Sequence, residues 1–454
     1  MINLNRRTLL KTLGSGLLLQ QLPGFFRLAE AATGSDYRAL VCIFLYGGND
    51  SNNTIIPNDS SGYGKYSAVR GDSTAGNGAL GIPRSQLLGL APATGSAAFG
   101  LHPDLSDLQG IWNAGQLGVV FNTGTLVQPL SKSQYLANAA PAPANLFSHA
   151  DQQGQWQSAV SRGVSRSGWG GRISDALGRV NGNLPALLSL AGTAPFNAGE
   201  TSSPLVLPVT GSFGLASFGG SAANSVAAAY NSLLTSSESQ LLTVAAQGVT
   251  REAVAASAAL NPILTGTSSV DALFSTTGNP LAQQLLRVAK LIANRSSLGS
   301  TRQVFFVSLG GFDTHTDQIN RQSSLYKQLG PAMKSFNDAM QQLGTAAQVT
   351  SFTLSDFTRT LKPASGGGSD HAWGGHHFVM GGAVKGQQFY GAFPDLTLAG
   401  PDDVSDEGRW LPTSSVSQYG ATLARWLGVS EGQLGTVFPG LANFSSSNLG
   451  FMNA

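Results

Sequence analysis

Four short apolar runs, each stopping in a polar, glycine-rich segment, constrain this chain more than any other feature. They are Ala39–Tyr46, Leu117–Phe121, Gln303–Leu309 and Val349–Leu354. Continuous runs of this length, rich in branched and aromatic residues, suit strands buried on both faces. Helical spacing fills the intervals at 103–114, 280–294 and 318–343. Strands alternating with helices predict an α/β fold: a doubly wound, mainly parallel sheet with helices on both faces. Length alone suits two or three domains, or one large α/β domain. In open α/β sheets the site lies at the carboxyl ends of the strands. Here those ends read Gly47-Gly-Asn-Asp50, Asn122-Thr-Gly-Thr125, Gly310-Gly-Phe-Asp-Thr-His315 and Ser355-Asp-Phe-Thr-Arg359. Asp50, Asp313, His315 and Asp356 are therefore expected on one rim. The competing reading is that they are ordinary turn residues, since Gly, Asn and Asp favour turns.

The first thirty residues read as an address. Arg6-Arg7 precede a weak apolar stretch and a small-residue pattern at Ala29-Glu-Ala-Ala32. This order resembles a twin-arginine export signal at 1–31, with the periplasm or exterior as destination and the translocase as a transient partner. A basic first helix is the alternative. Removing 1–31 takes away Arg6, Arg7, Lys11, Arg27 and Glu30, turning 26 basic and 24 acidic residues into 22 and 23, a balance of −1. The basicity thus belongs to the signal. No Lys/Arg stripe remains to neutralise phosphates, so nucleic acid is not expected as a partner. No apolar run beyond residue 40 reaches the roughly 20 residues a membrane span needs. The single Cys, Cys42, sits inside the first apolar run and excludes a Cys-rich metal site.

The chain has six His, and three of them fall in Ser369-Asp-His-Ala-Trp-Gly-Gly-His-His377. One lies two residues from Asp313, one follows Ser148, and His102 precedes Pro103 at an expected helix start. Each alone is most simply a core or surface group. Together, beside carboxylates and without thiolates, they suit one or two divalent ions such as zinc, manganese, calcium or magnesium. Adjacent Asp370 and His371 can point the same way only from an irregular loop, so 369–377 reads as one.

The runs Leu45–Asp50, Gly311–His315, Ser355–Thr360, Asp370–Lys385, Gln418–Gly428 and Asn448–Phe451 resemble the exported bacterial proteins called domain of unknown function family 1501, over about 36–454. That family is similar in turn to the alkaline phosphatase and sulfatase superfamily. The resemblance implies an anionic ester substrate, phosphate or sulfate, hydrolysed or transferred by in-line displacement between two metals. It implies Asp50, Asp313 and His315 as ligands, Asp370 and His371 as a further pair, and His376 or His377 as the last. Asp356 competes with Asp370 for its place. The nucleophile is implied at Ser148; Thr123 and Thr125 compete, and Ser148 also reads as a helix N-cap. Arg359 is expected to hold an ester oxygen or to pair with an acid. Residues 197–270, poor in charge and with Ala/Ser/Leu-rich helical spacing at 226–260, read as a helical or cap insertion with a small β-like piece at 212–221, or equally as a helical layer of the main domain. Gly366–Ser369 lacks the ending of a phosphate-binding loop. Two functions remain: a metal-dependent hydrolase or transferase, and a non-catalytic exported surface or matrix protein on the same scaffold.

Overall fold

The computed structural model describes residues 37–453 apart from 96–97, 179, 182–183, 215–222 and 238. The expected export signal and most of the β-like piece lie outside the described residues. A nine-stranded sheet organises the rest. Its strands are β1 (Arg38–Tyr46), β2 (Leu117–Gly124), β3 (Leu187–Ser189), β4 (Leu205–Val206), β5 (Arg302–Gly310), β6 (Val349–Ser355), β7 (Gly375–Met380), β8 (Gln388–Tyr390) and β9 (Ser414–Ser415). They lie in the order β8-β2-β7-β6-β1-β5-β3-β4, with β9 pairing the end of β2. All pairings are parallel except those of β7, which runs antiparallel between β2 and β6.

Strand β1 shows why the sheet needs a helical layer on each side. Its alternate residues divide between two cores, as period-two geometry requires. Ala39, Val41, Ile43 and Leu45 pack with α1 (Ser106–Asn113), α4 (Pro280–Ala293) and α5 (Gln318–Gln342). Leu40, Cys42 and Phe44 pack with α2 (His149–Ser158), α3 (Trp169–Leu177), α6 (Val416–Leu427) and α7 (Glu431–Val437). The expected doubly wound α/β layering is therefore present, and Cys42 is a buried core residue. Two helices, Ala223–Thr235 and Leu241–Thr265, pack on each other, and the second also packs on α4, with Leu260 and Leu264 buried in the first of these cores. Arg287 and Lys290 of α4 hold the chain on either side of them, donating to the carbonyls of Val209, Gly211 and Gly266. Among the described residues, no helix is long and apolar enough to cross a membrane.

The segment read as an irregular loop at 369–377 ends in a strand. Gly375–Met380 forms β7, with Phe378 to Met380 supplying the buried apolar run. Because β7 is antiparallel, its start lies beside the end of β2, with Gly375 opposite Thr123. The loop at 370–374 is thereby delivered to the rim formed by the carboxyl ends of its neighbours. This pairing decides which histidines reach the site.

Candidate functional site

Strands β6, β1 and β5 are adjacent and parallel, so Asp356, Gly47 and Asp313 follow one another along the rim. The turn after β1 brings backbone against backbone. Gly47 has φ +112°, and a Cβ there would lie 2.4 Å from the Asp313 nitrogen. Only glycine suits that conformation and approach. His371 arrives from the opposite side, tied by a backbone bridge to Arg359 and by the Ala372 amide donating to Thr358 O.

The donor atoms of His149, Asp313 and His371 lie within 4.8 Å of one another, a group able to hold a metal ion. Asp313 Oδ1 is 3.4 Å from His149 Nε2, 3.4 Å from His371 Nε2 and 3.0 Å from His315 Nε2. His315 Nε2 is also 3.0 Å from His371 Nε2. Each imidazole has its other nitrogen committed elsewhere. His149 Nδ1 lies 2.7 Å from Asp356 Oδ2, His315 Nδ1 3.2 Å from Asp370 Oδ1, and His371 Nδ1 2.7 Å from the Phe147 carbonyl. A carbonyl or carboxylate accepts, so in a neutral ring the proton sits on Nδ1 and Nε2 presents its lone pair. Three lone pairs thus surround one carboxylate oxygen that already accepts from Arg359 Nη2, while Arg359 Nη1 lies 3.5 Å from His315 Nε2; a metal ion or extra protons would satisfy the lone pairs of His149 and His371. His149 Nε2 is moreover buried without a hydrogen-bond partner. Donors bonded to a zinc-type ion at about 2.0–2.2 Å in a tetrahedral set stand about 3.3–3.6 Å apart, and Asp313 Oδ1 stands at 3.4 Å from both His149 Nε2 and His371 Nε2, two of the three separations in the group. Holding each ligand imidazole through its far nitrogen is the usual second layer of such sites. The residues present fit the ion.

The surroundings set the charge of each group. Burial pushes the Asp313 carboxyl up, but the Arg359 hydrogen bond and charge, with His315 and His149, outweigh it and hold it below the ordinary carboxylate value. The Asp356 hydrogen bond raises His149, against burial. Burial lowers His371. Phe147 holds φ 72°, a left-handed conformation that is strained for an aromatic residue, and its carbonyl is the acceptor for His371.

Of the residues expected from sequence, Asp313, His315, Asp356, Asp370 and His371 meet here. Asp356 is fully buried and accepts from Gly47 N and Gln153 as well as facing His149, so it orients the His149 ring. Asp50 is placed differently. Its carboxylate accepts from Arg70 at 2.5 and 3.0 Å, from Gln318 at 2.5 Å and from the Asn52 amide at 3.1 Å. It caps the short helix Ser51–Thr54 and closes a buried ion pair. His376 and His377 occupy successive positions of β7 and so point to opposite faces. His376 Nδ1 accepts from the Asn122 amide, while its ring packs on Phe121 and Phe393; His377 packs on Trp156 and Tyr419. Burial lowers both to about 3, so they are neutral core residues.

The hydroxyls expected as nucleophiles serve internal acceptors. Ser148 donates to Asp151 at 2.7 Å, Thr123 to Phe121 O and Thr125 to Gln152. Arg359 is fully buried and every nitrogen is engaged. Nε donates to Gly48 O, Nη1 to Ser369 O, and Nη2 to Gly47 O, Phe312 O and Asp313. It positions Asp313 and leaves no edge for an ester oxygen. Sequence reasoning passed over His149 as a ligand, although it stands beside the Ser148 that was singled out. It also passed over Arg70, whose partnership with Asp50 spans twenty residues without a motif.

Solved structures similar to this chain include a lipoteichoic acid synthase, LtaP, from Listeria monocytogenes (8% identity, 90% of this chain and 75% of that one, TM-score 0.33). Another is the PsFucS1 sulfatase from Pseudoalteromonas sp. (10% identity, 88% and 69%, TM-score 0.35). A third is Ps i-CgsB in complex with k-i-k-neocarrahexaose (10% identity, 88% and 74%, TM-score 0.34). Among curated proteins none matches the sequence. The model of the family described as protein of unknown function (DUF1501) matches residues 37–406, which include every residue of the His–Asp cluster, and the chain therefore belongs to that family.

Proposed function

We propose that the protein is an exported, metal-dependent hydrolase of phosphate or sulfate esters. The observation that carries it is the convergence of three imidazole Nε2 atoms on Asp313 with every Nδ1 already fixed. His149, Asp313 and His371 would hold the ion, with His315 beside them. A bound divalent ion would polarise the ester and stabilise charge building on its oxygens. The chain's own residues do the rest. Asp356, Asp370 and the Phe147 carbonyl hold the rings in one tautomer, and Arg359 fixes the Asp313 carboxylate. With Ser148, Thr123 and Thr125 turned to internal acceptors, the attacking oxygen in this reading is that of a water. Its oxygen replaces the alcohol oxygen on phosphorus or sulfur, and its proton leaves with the alcohol.

Export by the twin-arginine route, expected from Arg6-Arg7 and the small residues at 29–32, would suit the same reading, because that route carries chains already folded. The test is metal content and hydrolysis of aryl phosphate, phosphodiester and sulfate by protein purified without chelator. Bound metal with turnover, both lost in Asp313→Ala, is expected. A metal-free, inactive protein, or a biological role untouched by Asp313→Ala, would instead favour the non-catalytic surface or matrix protein.

A further inference from the structure

Building on the ester-hydrolase reading, we infer that Arg409 recognises the substrate's anion and that the site takes singly charged esters in preference to doubly charged ones. The position of anion-reading residue is open because Arg359 has no free edge. Arg409 is tied to the backbone of one of the would-be ligands. Its Nε donates to the His371 carbonyl at 2.9 Å, and its guanidinium lies 5.0 Å from the centre of the Phe147 ring. These two residues are themselves joined through His371 Nδ1 and the Phe147 carbonyl. Nη1 pairs with Glu407 at 2.5 Å, and among the described residues Nη2 has no acceptor. The side chain is 23% exposed, so the group is held yet reachable.

Its backbone is fixed in advance. Asp403 is fully buried and accepts from the Arg409 amide at 2.9 Å and the Gly408 amide at 3.0 Å. The Arg409 carbonyl accepts from Val404 N, and the neighbouring Trp410 donates its indole to Asn52. A planar guanidinium presented on a rigid loop, with one nitrogen uncommitted, suits an oxyanion.

The charge of the site then selects among anions. Asp313, Asp356 and Asp370 bring three negative charges and Arg359 one positive. One divalent ion cancels the remaining two. Arg409 is itself partly offset by Glu407. A sulfate monoester or a phosphodiester, each carrying one charge, matches the single uncommitted donor. A second charge would face no further cation.

The test compares calorimetric binding and turnover of phenyl sulfate, diphenyl phosphate and phenyl phosphate at about pH 8, where the phosphate monoester carries two charges. The two singly charged probes are expected to bind at least roughly tenfold more tightly than phenyl phosphate; which of them is turned over faster identifies the ester. Arg409→Met should weaken both by roughly tenfold with metal content unchanged, and Arg409→Lys should recover only part of the loss. Equal or tighter binding of phenyl phosphate, or unchanged binding in Arg409→Met, overturns the inference. So does loss of metal in Arg409→Met, which would make the residue a clamp on His371. Turnover with the opposite preference defeats this assignment alone, whereas a parent protein with neither metal nor turnover defeats the hydrolase reading beneath it.

Discussion

At the scale of single residues, the site depends on acceptors that fix imidazole tautomers. Asp356→Asn keeps the shape but loses the carboxylate facing His149 Nδ1. Removing such an outer partner typically costs about 10- to 100-fold in metal affinity, and equilibrium titration of chelator-stripped protein measures it. The same pair has a pH signature in the stripped protein. His149 is raised above its usual 6.5 by Asp356. Its protonated form is favoured by folding, so its contribution is full below 6.5 and is lost as pH rises through the raised value. Thermal stability of the stripped protein should therefore decline across that window, and Asp356→Asn should flatten the decline. The chemistry of these residues was legible as type and clustering. Which of them meet was not, because Asp50 and Asp356 carry identical side chains at equivalent strand ends. They differ only in what lies opposite: Arg70 for one and His149 for the other.

At the scale of elements, two features decide the site: the glycine turn after β1 and the direction of β7. Gly47→Ala would set a Cβ 2.4 Å from the Asp313 nitrogen at φ +112°. That change is expected to displace Asp313 and abolish metal binding, read as metal content of the folded variant. The Asp50–Arg70 pair makes a contrasting prediction. Both side chains are fully buried, so Arg70→Met leaves a carboxylate uncompensated and should cost about 3–5 kcal/mol in denaturant unfolding. Asp50→Asn with Arg70→Met should recover part of that loss. The strands at 38–46, 302–310 and 349–355 were legible from their apolar runs, and the helices at 280–293 and 318–342 from their spacing. Strand β7 was not, since Gly374-Gly375-His376-His377 carries the signals of a loop. Its strand character comes from Phe378 to Met380 and from pairing on both edges, which local sequence does not encode.

At the scale of the whole molecule, sheet and helices form a frame that holds two imidazoles neutral in the core. His376 and His377 are lowered to about 3 by burial. Between about 3 and 6.5 the unfolded chain binds protons that the native state refuses, so stability falls as pH drops through that range. Denaturant unfolding at neutral pH and near pH 4.5 should differ by on the order of a few kcal/mol, and His377→Gln should reduce the difference. Layer order and the convergence of strand ends were legible because they follow from chain direction in a parallel sheet. The packing of Ala223–Thr235 against Leu241–Thr265, and of Leu260 and Leu264 into the core, was foreshadowed by composition and helical spacing, which fix helix content but no partner.

Anomalous diffraction at the metal edge, on crystals of protein purified without chelator, probes the His–Asp cluster most directly. A peak bonded to His149 Nε2, His371 Nε2 and Asp313 is the expected result. An empty cluster, with Asp313 still hydrogen-bonded to Arg359 and its neighbouring imidazoles under saturating zinc and manganese, would contradict it.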